Sequence, residues 1–263
     1  MPIEHIPVTC IDQTAFKDID FVVMGLAYET QNEVGRHFDE SIFKNCLIEK
    51  MSAHGLDIKT ESPIKLTHKS YEKPFYVDLV VNHSVPYEFK ATNDFHPKHD
   101  AQLLQHLHLL DLHHGKLIYS RTTSVKGRFI STQSTKSSCK EFHLNGSELE
   151  ESTETTIILS IFEELLLDWG TSLELSTYND ALPAILPNAL KEAAEIRYKG
   201  KKMGSVELIL ASPNSGLFIT AFSQDRLGYR RHLNNILTLS SLERIHWINM
   251  NKQEICATTL RAV

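Results

Sequence analysis

The chain is poor in cysteine and contains no long apolar run. Its four cysteines, Cys10, Cys46, Cys139 and Cys256, are scattered among 263 residues without a Cys-x-x-Cys pair. This scatter argues against a zinc knuckle and a disulfide framework and is typical of a reducing cytoplasm. No apolar run approaches the roughly 20 residues of a membrane span. The first residues also lack the basic start and apolar core of a secretory signal. We therefore expect a cytoplasmic protein with no membrane partner.

The chain also lacks an excess of positive charge. Its formal net charge is −6, and 41% hydrophobic with 23% charged residues describe a globular protein. A bulk polycation that binds nucleic acid nonspecifically is thereby excluded. The charge is uneven: residues 1–114 carry −7, 115–145 carry +5, 146–190 carry −9 and 191–263 carry +5.

Six lysines and arginines account for the positive segment in the middle of the chain. We call them the basic strip: Lys116, Arg121, Lys126, Arg128, Lys136 and Lys140. Such a strip can contact the phosphates of a nucleic acid. A solvated face with no partner explains the same charges equally well.

Apolar periodicity predicts alternating helices and strands in the first half. Two helical segments are expected between residues 17 and 53, the second running from near Asp39 to Gly55. A strand (56–68) and a hairpin (76–91) follow. A helix then begins at Pro97 and stops at Gly115, and a short strand covers 116–121.

The second half repeats this order after a segment rich in serine, threonine and charge. Helices are expected over 155–170, near 173–182 and over 225–241, with strands between them and a strand at 243–250. The chain therefore divides into a first domain (1–122), a connecting segment (123–152) and a C-terminal α/β lobe without a catalytic motif (153–263).

The hairpin YVDLVVNHSVPYEFKA (76–91) has charged residues on one face. If its turn centres on His83, Asp78 lies opposite Glu88, and Lys90 points the same way because side chains alternate along a strand. Opposed carboxylates about 5 Å apart repel each other. A divalent cation reverses that sign, since hard cations prefer carboxylate oxygens. A solvated face, or a register slipped by one residue, would leave these charges without a role.

Five ordered blocks around this hairpin resemble the PD-(D/E)XK nuclease superfamily, and within it the GxxExxY family. They are QNEVGRHFDESIF, FYVDLVV, YEFKA, HDAQLLQHLHLL and GKLIYS. The second half, with LLLDWG, YNDAL and ERIHWINMN, is similar to the extension of longer, two-part members. The resemblance implies an α/β fold with a restriction-endonuclease-like core of the order αβββαβ, a mixed sheet and a second α/β lobe.

The resemblance also implies an activity and a set of site residues. The activity is hydrolysis of phosphodiester bonds in nucleic acid, DNA being favoured, with Mg²⁺ or Mn²⁺ as cofactor. The metal ligands would be Asp78, Glu88, the Phe89 carbonyl and Glu40. Lys90 would orient the attacking water and stabilise the oxyanion, and Gln102 would position Lys90 or a phosphate. A homodimer is compatible with these motifs.

The block that gives the family its name is incomplete. Where the family has Gly-x-x-Glu-x-x-Tyr, this chain has His37, Glu40 and Phe43, so only the glutamate is kept. This departure and the net acidity favour a rival function, a catalytically silent protein that binds nucleic acid or a protein partner. The intact Asp78, Glu88 and Lys90 favour the enzyme.

Histidines are concentrated on the helix after the hairpin and its flanks. His99 and His106 lie seven residues apart on one helical face with Gln102 between them. A transition-metal site usually spaces two helical ligands three or four residues apart, so amphipathic helix residues are the alternative. His99 is a candidate general base.

The second half is interpreted as a degenerate copy of the first. Aligning the two hairpin turns places Leu210 at the position of Asp78, Thr220 at Glu88 and Phe222 at Lys90. None of these side chains can hold a hard cation. Arg226, Arg230 and Arg231 on its helix could then contact phosphates. An unrelated α/β extension is the alternative, because strands followed by a helix are common.

Overall fold

A computed structural model describes residues 2–262, which form two compact units. The first comprises the chain up to Thr67 and Glu72–Lys136, and the second comprises His68–Tyr71 and the chain from Ser137 on. Each unit is built on one six-stranded mixed sheet with helices. The predicted α/β class is confirmed. None of the helices within residues 2–262 has the length and apolar character needed to cross a membrane.

The first unit contains three long helices whose ends follow from local residues. They are α1 (Gln13–Val34), α2 (Glu40–Ala53) and α3 (Pro97–Leu110). The Asp12 carboxylate accepts the first free N–H groups of α1, and Gly35 ends that helix with φ 82°. The imidazole of His96 accepts from the backbone of Lys98 and so caps α3, whose first residue is Pro97.

The strands of the first unit pair in chain order. They are β1 (Ile3–His5), β2 (Ile58–His68), β3 (Tyr71–Val81), β4 (Val85–Lys90), β5 (His114–Tyr119) and β6 (Lys126–Ser131). The pair β4 and β5 is parallel, because α3 carries the chain across the sheet between them. The pairs β3–β4 and β5–β6 are antiparallel. The predicted run of helix, three strands, helix and strand is thus confirmed.

The core of the first unit lies between its sheet and the pair α1 and α2. The sheet contributes one face of the central hairpin, with Leu79 and Val81 from β3 and Tyr87 and Phe89 from β4 fully buried. These residues alternate with the charged ones, as the two-residue period of a strand requires. The charged face therefore points away from this core.

Helix α3 ends earlier than predicted. Asp111, rather than Gly115, takes the left-handed conformation with φ 59°, which aspartate tolerates better than most residues, and Leu112 N–H donates to the Leu107 carbonyl. Gly115 instead lies in β5, where a Cβ atom would come within 3.1 Å of Leu103. That glycine allows close packing of α3 on the sheet.

The segment 123–152 does more than connect two domains. Its first part forms β6, which pairs with β5 along six residues of the first sheet. Its last part contains β7 (His143–Glu148), which joins the second sheet. The division between the compact units falls between Lys136 and Ser137, so this segment is shared by both units rather than separate from them.

The second unit has the same order of elements as the first. Its helices are α4 (Thr153–Trp169), α5 (Leu175–Ile185) and α6 (Arg226–Leu239), and its further strands are β8 (Leu190–Tyr198), β9 (Lys201–Ser212), β10 (Ser215–Thr220), β11 (Arg244–Asn251) and β12 (Glu254–Arg261). The sheet order is β8, β9, β10, β11, β12, with β7 beside β12. As in the first unit, the pair joined across a helix, β10 and β11, is parallel and its neighbours are antiparallel.

The two units also share their strand registers. In the first, Leu79 faces Tyr87 and Tyr119 faces Lys126. In the second, Ile209 faces Leu217 and Asn249 faces Cys256, each 130 positions later. The predicted repetition of sheet order and strand direction is therefore confirmed.

Candidate active site

The central hairpin adopts the predicted register. Leu79 faces Tyr87 and Val81 faces Val85, so the turn centres on His83. Asn82 and His83 both have positive φ, 49° and 54°, as in the tight turns that favour asparagine. Asp57 stabilises this turn, since its carbonyl accepts from Asn82 N–H at 2.7 Å and its carboxylate lies 2.7 Å from Nε2 of His83.

At the far end of the hairpin, side-chain carboxylates accept from the backbone of the opposite strand. Oδ2 of Asp78 accepts the Phe89 N–H at 2.8 Å, and Oε1 of Glu88 lies 3.4 Å from the Asp78 nitrogen. The predicted opposition of Asp78 and Glu88 is therefore present. Lys90 lies on the same side, with Nζ 3.4 Å from Oε2 of Glu88.

Glu88 is surrounded by donors although only 1% of its side chain is exposed. Besides Asp78 N–H and Lys90, Nδ1 of His106 donates to Oε1 at 2.9 Å and Nε2 of Gln102 donates to Oε2 at 3.0 Å. Gln102 and His106 are four residues apart on α3, so they project from one helical face. An ionised carboxylate accepts about four hydrogen bonds, and Glu88 has four donors.

The two carboxylates differ in their ionisation. Burial and the charge of Glu88 raise the pKa of Asp78 to about 6, against the lowering effect of the Phe89 N–H, Lys44 and Lys90. Burial also acts to raise the pKa of Glu88, but the hydrogen bond and charge of His106, with Lys90, lower it below its ordinary value. Glu88 is thus a fixed negative charge, and the charge on Asp78 is held against its environment.

The first turns of α2 supply two more charged groups. Oε2 of Glu40 accepts the Ala91 N–H at 2.7 Å and so holds the chain just after Lys90. Lys44, one turn later, lies 3.7 Å from Oδ1 of Asp78 and forms a closer ion pair with Glu61. Burial tends to lower the pKa of Lys44, but Glu61 and Asp78 raise it above its ordinary value.

Phe43 is part of the core rather than of the charged cluster. It is buried and meets the Phe89 ring edge-on, with 6.4 Å between ring centroids. The phenol that the family would place here is therefore replaced by an apolar contact beneath β4. The neighbouring Glu40 keeps its hydrogen bond to the backbone.

His99 lies beside the cluster but not on its carboxylates. Its Nδ1 is 3.1 Å from the hydroxyl of Tyr119, which stands directly across β5 from Lys90. Burial and the nearby charges of Lys90 and His96 lower the pKa of His99. His99 and His106 have different partners, and within residues 2–262 no group of three or more His, Cys, Asp or Glu side chains could hold a metal.

Two residues of this cluster were not predicted as members. His106 was interpreted as an amphipathic helix residue, and Lys44 was not singled out. A helical spacing of four residues links His106 to Gln102 and Lys44 to Glu40. That spacing is the signal that would have identified both.

The oxygen donors fit a hard divalent cation that keeps much of its water shell. Asp78 and Glu88 contribute carboxylates, and the raised pKa of Asp78 shows that the pair lacks compensating charge. Magnesium is commonly bound by one or two carboxylates together with water and substrate phosphates. A closed protein cage, as for structural zinc, does not fit, since a third side-chain ligand is missing among the described residues.

The equivalent positions in the second unit carry no charge, although the predicted alignment was wrong by two residues. The shared registers place Leu208, Phe218 and Thr220 at the positions of Asp78, Glu88 and Lys90, rather than Leu210, Thr220 and Phe222. The error arises because a β-bulge between Ser215 and Gly216 displaces the turn that was used for alignment.

Neutral hydrogen bonds replace ion pairs at this end of the second sheet. The hydroxyl of Thr220 donates to the Asn249 side chain at 2.7 Å and accepts from the Trp247 indole at 2.8 Å. Asn249 in turn bonds both backbone groups of Phe222. This arrangement offers no carboxylate to a cation.

Comparison with known proteins agrees with the position of the charged cluster. Searches of curated proteins and of solved structures gave no significant match to the chain. A family model for the PD-(D/E)XK nuclease superfamily matches residues 17–128. Residues 17–128, which include every member of the cluster around Asp78 and Glu88, therefore belong to the PD-(D/E)XK nuclease superfamily.

Proposed function

We propose that the protein is a divalent-metal-dependent nuclease that hydrolyses phosphodiester bonds in DNA, and that it belongs to the GxxExxY branch of its superfamily. The observation that carries the proposal is the opposition of Asp78 and Glu88, with Lys90 beside them. Two carboxylates and an ammonium at one end of a hairpin are the groups that this chemistry needs. Glu40, kept from the family motif, supports the branch.

Asp78, Glu88 and the carbonyl of Phe89 would hold Mg²⁺ or Mn²⁺, with Glu40 as a further carboxylate nearby. The bound ion would supply Lewis acidity, lowering the pKa of a bound water and offsetting charge on the phosphate. Lys90 is then released from Glu88, its partner at 3.4 Å, and orients the water and stabilises the oxyanion.

The helix behind the hairpin keeps the cluster in place. Gln102 and His106 fix both oxygens of Glu88 from α3. Glu40 fixes the backbone after Lys90 from α2. These contacts hold the reacting groups in a defined geometry, which is where much of the catalytic advantage of an enzyme originates.

One observation favours the rival function, a silent nuclease-fold protein that binds nucleic acid or a protein partner. Glu88 already has four hydrogen-bond donors, and a metal must replace one of them. If the donors win, the fold persists without turnover. The two weakest contacts, both at 3.4 Å, come from Lys90 and the Asp78 nitrogen and are those that a cation would displace.

A cleavage assay tests the proposal. The wild-type protein is incubated with single- and double-stranded DNA and RNA in Mg²⁺, Mn²⁺ or EDTA, beside Asp78→Asn and Lys90→Ala. We expect metal-dependent cleavage of DNA by the wild type and strong loss in both variants. Binding without cleavage in either metal would establish the rival, and equal cleavage by wild type and both variants would show that activity comes from elsewhere.

A further inference from the structure

A cavity of about 570 Å³ opens in the first unit next to the charged cluster. Its walls come from the loop after α1, the segment after β4, the loop after β5 and the start of β6. We call it the cationic pocket, and it is lined by Arg36, His37, Asn93, Arg121, Thr122, Thr123 and Lys126. Three side chains with permanent charge face it, and no carboxylate is among its lining residues.

The cations of this pocket are poorly neutralised. Arg121 has a carboxylate partner in Asp39 at 3.3 Å, but that aspartate side chain is 82% exposed, where an ion pair contributes little. Arg36 donates only long bonds, at 3.4 Å, to His37 and Thr123. Within residues 2–262, neither Arg36 nor Lys126 has an ion-pair partner.

Arg121 also has an unused donor. Its Nε atom is enclosed and has no hydrogen-bond partner in the part of the chain that the structure describes. A buried N–H without an acceptor is costly, and an anion in the pocket would supply one. Guanidinium groups suit this task, since their planar donors match phosphate oxygens in pairs.

The loop that carries Arg121 is held rigidly by a buried glutamine. Nε2 of Gln31 donates to the carbonyls of Ser120 and Thr122 at 2.7 and 3.1 Å, and its Oε1 accepts from Val125 N–H at 2.8 Å. These three bonds fix the backbone on both sides of Arg121 and Thr123. The pocket is thus formed before any ligand binds.

The same loop is joined to Lys90. The Ser120 N–H donates to the Lys90 carbonyl at 3.3 Å, and Asn93 follows Lys90 by three residues, a span of at most about 11 Å. A phosphate in the pocket would therefore lie close along a strand to the bond that is cleaved.

The second unit shows that these cations accompany the carboxylates. At the shared spacing of 130 residues, Arg121 corresponds to Asn251 and Lys126 to Cys256, and the turn keeps one lysine, Lys252. The unit that lacks the carboxylate cluster thus also lacks the two cations. A merely solubilising charge has no reason to follow the catalytic groups in this way.

We infer that the cationic pocket is a phosphate-binding subsite that holds a phosphate of the nucleic acid next to the one hydrolysed. The inference rests on the proposed function, because it places substrate across the Asp78 cluster. Arg36, Arg121 and Lys126 provide charge, and Thr123 and Asn93 can add neutral donors. The phosphate is either internal to the strand or at its end, and both have the same binding chemistry.

The test measures binding of labelled single-stranded DNA in EDTA, so that no cleavage occurs. Arg121→Ala and Lys126→Ala are compared with Arg197→Ala and Lys65→Ala, exposed residues outside the pocket that also have ion-pair partners. The pocket variants should bind about tenfold more weakly, and each should lower the salt slope by about 0.7, the value for one phosphate on a single strand. Lys126→Gln repeats the test if Arg121→Ala fails to fold.

Three substrates distinguish the two sources of phosphate: circular DNA, linear DNA with a terminal phosphate, and linear DNA with hydroxyl ends. Equal weakening on all three means an internal phosphate, and weakening confined to the phosphorylated end means a terminal one. Binding by the pocket variants that matches the control variants on every substrate would overturn the inference. A wild type that binds through the pocket but never cleaves would overturn only the proposed function.

Discussion

The Nδ1 atom of His106 lies 2.9 Å from Oε1 of Glu88, and both side chains are almost completely buried. This pair joins α3 to the centre of the sheet. It also keeps Glu88 ionised, because a buried carboxylate with neither partner nor solvent would be protonated instead. The histidine therefore stabilises the charge that the site depends on.

Replacing His106 should destabilise the fold. We expect His106→Ala to lower the free energy of unfolding by about 1–3 kcal/mol, the cost of leaving a buried polar group without its partner. His106→Gln, which keeps a donor, should lose less. Urea denaturation measures both, and a double-mutant cycle with Glu88→Gln isolates the pair. A cycle with no coupling energy would show that the contact does not stabilise the protein.

Asp78 should make the metal-free protein less stable as pH rises. Its pKa in the folded protein, about 6, is above its ordinary value of 3.8, so folding favours the protonated form. Its contribution is then complete below pH 4 and is lost as pH rises through 6. Asp78→Asn removes this loss and should be more stable than wild type at pH 7 by about 1–2 kcal/mol.

Urea unfolding in EDTA between pH 4 and 8 measures that difference. The difference between wild type and Asp78→Asn should change over this window and level off on either side. Asp57→Asn, at the turn end of the same hairpin, is the control for removal of a carboxylate. A constant difference between wild type and Asp78→Asn at every pH would contradict the raised pKa.

Divalent metal should reverse this loss. Mg²⁺ or Mn²⁺ at tens to a hundred times its dissociation constant should add roughly 1–3 kcal/mol to the free energy of unfolding. The gain should vanish in Asp78→Asn and Glu88→Gln and persist in Asp57→Asn. Thermal melting with increasing metal provides the measurement. A wild-type melting temperature that does not respond to either metal would exclude a site at this hairpin.

Lys90 should matter for turnover rather than for metal binding. Lys90→Ala should reduce turnover by about 2–4 kcal/mol, the scale of one lost oxyanion contact, while the metal-induced rise in melting temperature stays. Lys59→Ala, an exposed lysine on β2, is the matched control. If Lys90→Ala abolishes metal binding together with activity, its role is structural.

Thr220 tests whether the second unit uses its neutral network for stability alone. Thr220→Val leaves the Trp247 indole and the Asn249 side chain without a partner and should cost about 1–3 kcal/mol. Thr220→Ser, which keeps the hydroxyl, should cost less. Cleavage under conditions where the variants remain folded should not change. A specific loss of cleavage would give this unit a part in the reaction.

The first hairpin was predictable because its signals agree. Two-residue alternation sets the faces, and Asn82 and His83 occupy a turn that requires positive φ, so only one register satisfies both. In the second hairpin, a bulge follows the turn between Ser215 and Gly216. A bulge moves the register without changing composition, so the alignment of residues 208–222 was displaced by two.

Partners that belong to different elements were harder to predict. The contacts of His106 with Glu88 and of Lys44 with Asp78 depend on how a helix is rotated against the sheet. Sequence spacing defines the face of α3 that carries His106 but not what that face meets. Strand β6 was expected only as an extended segment, because its exposed, polar residues lack the apolar alternation of a buried strand.

The equal spacing of the two sheets has a consequence for how the chain folds. Each parallel pair forms only after a helix has crossed over, so β4 and β10 both wait for a distant partner while the chain is still incomplete. During that time β11 presents to β4 the same length and register as β5, and domain mispairing is a known failure of repeated architectures. Glu88 and Lys90 oppose this error, since no counterpart of His106 or Gln102 would cover their charge in an exchanged sheet.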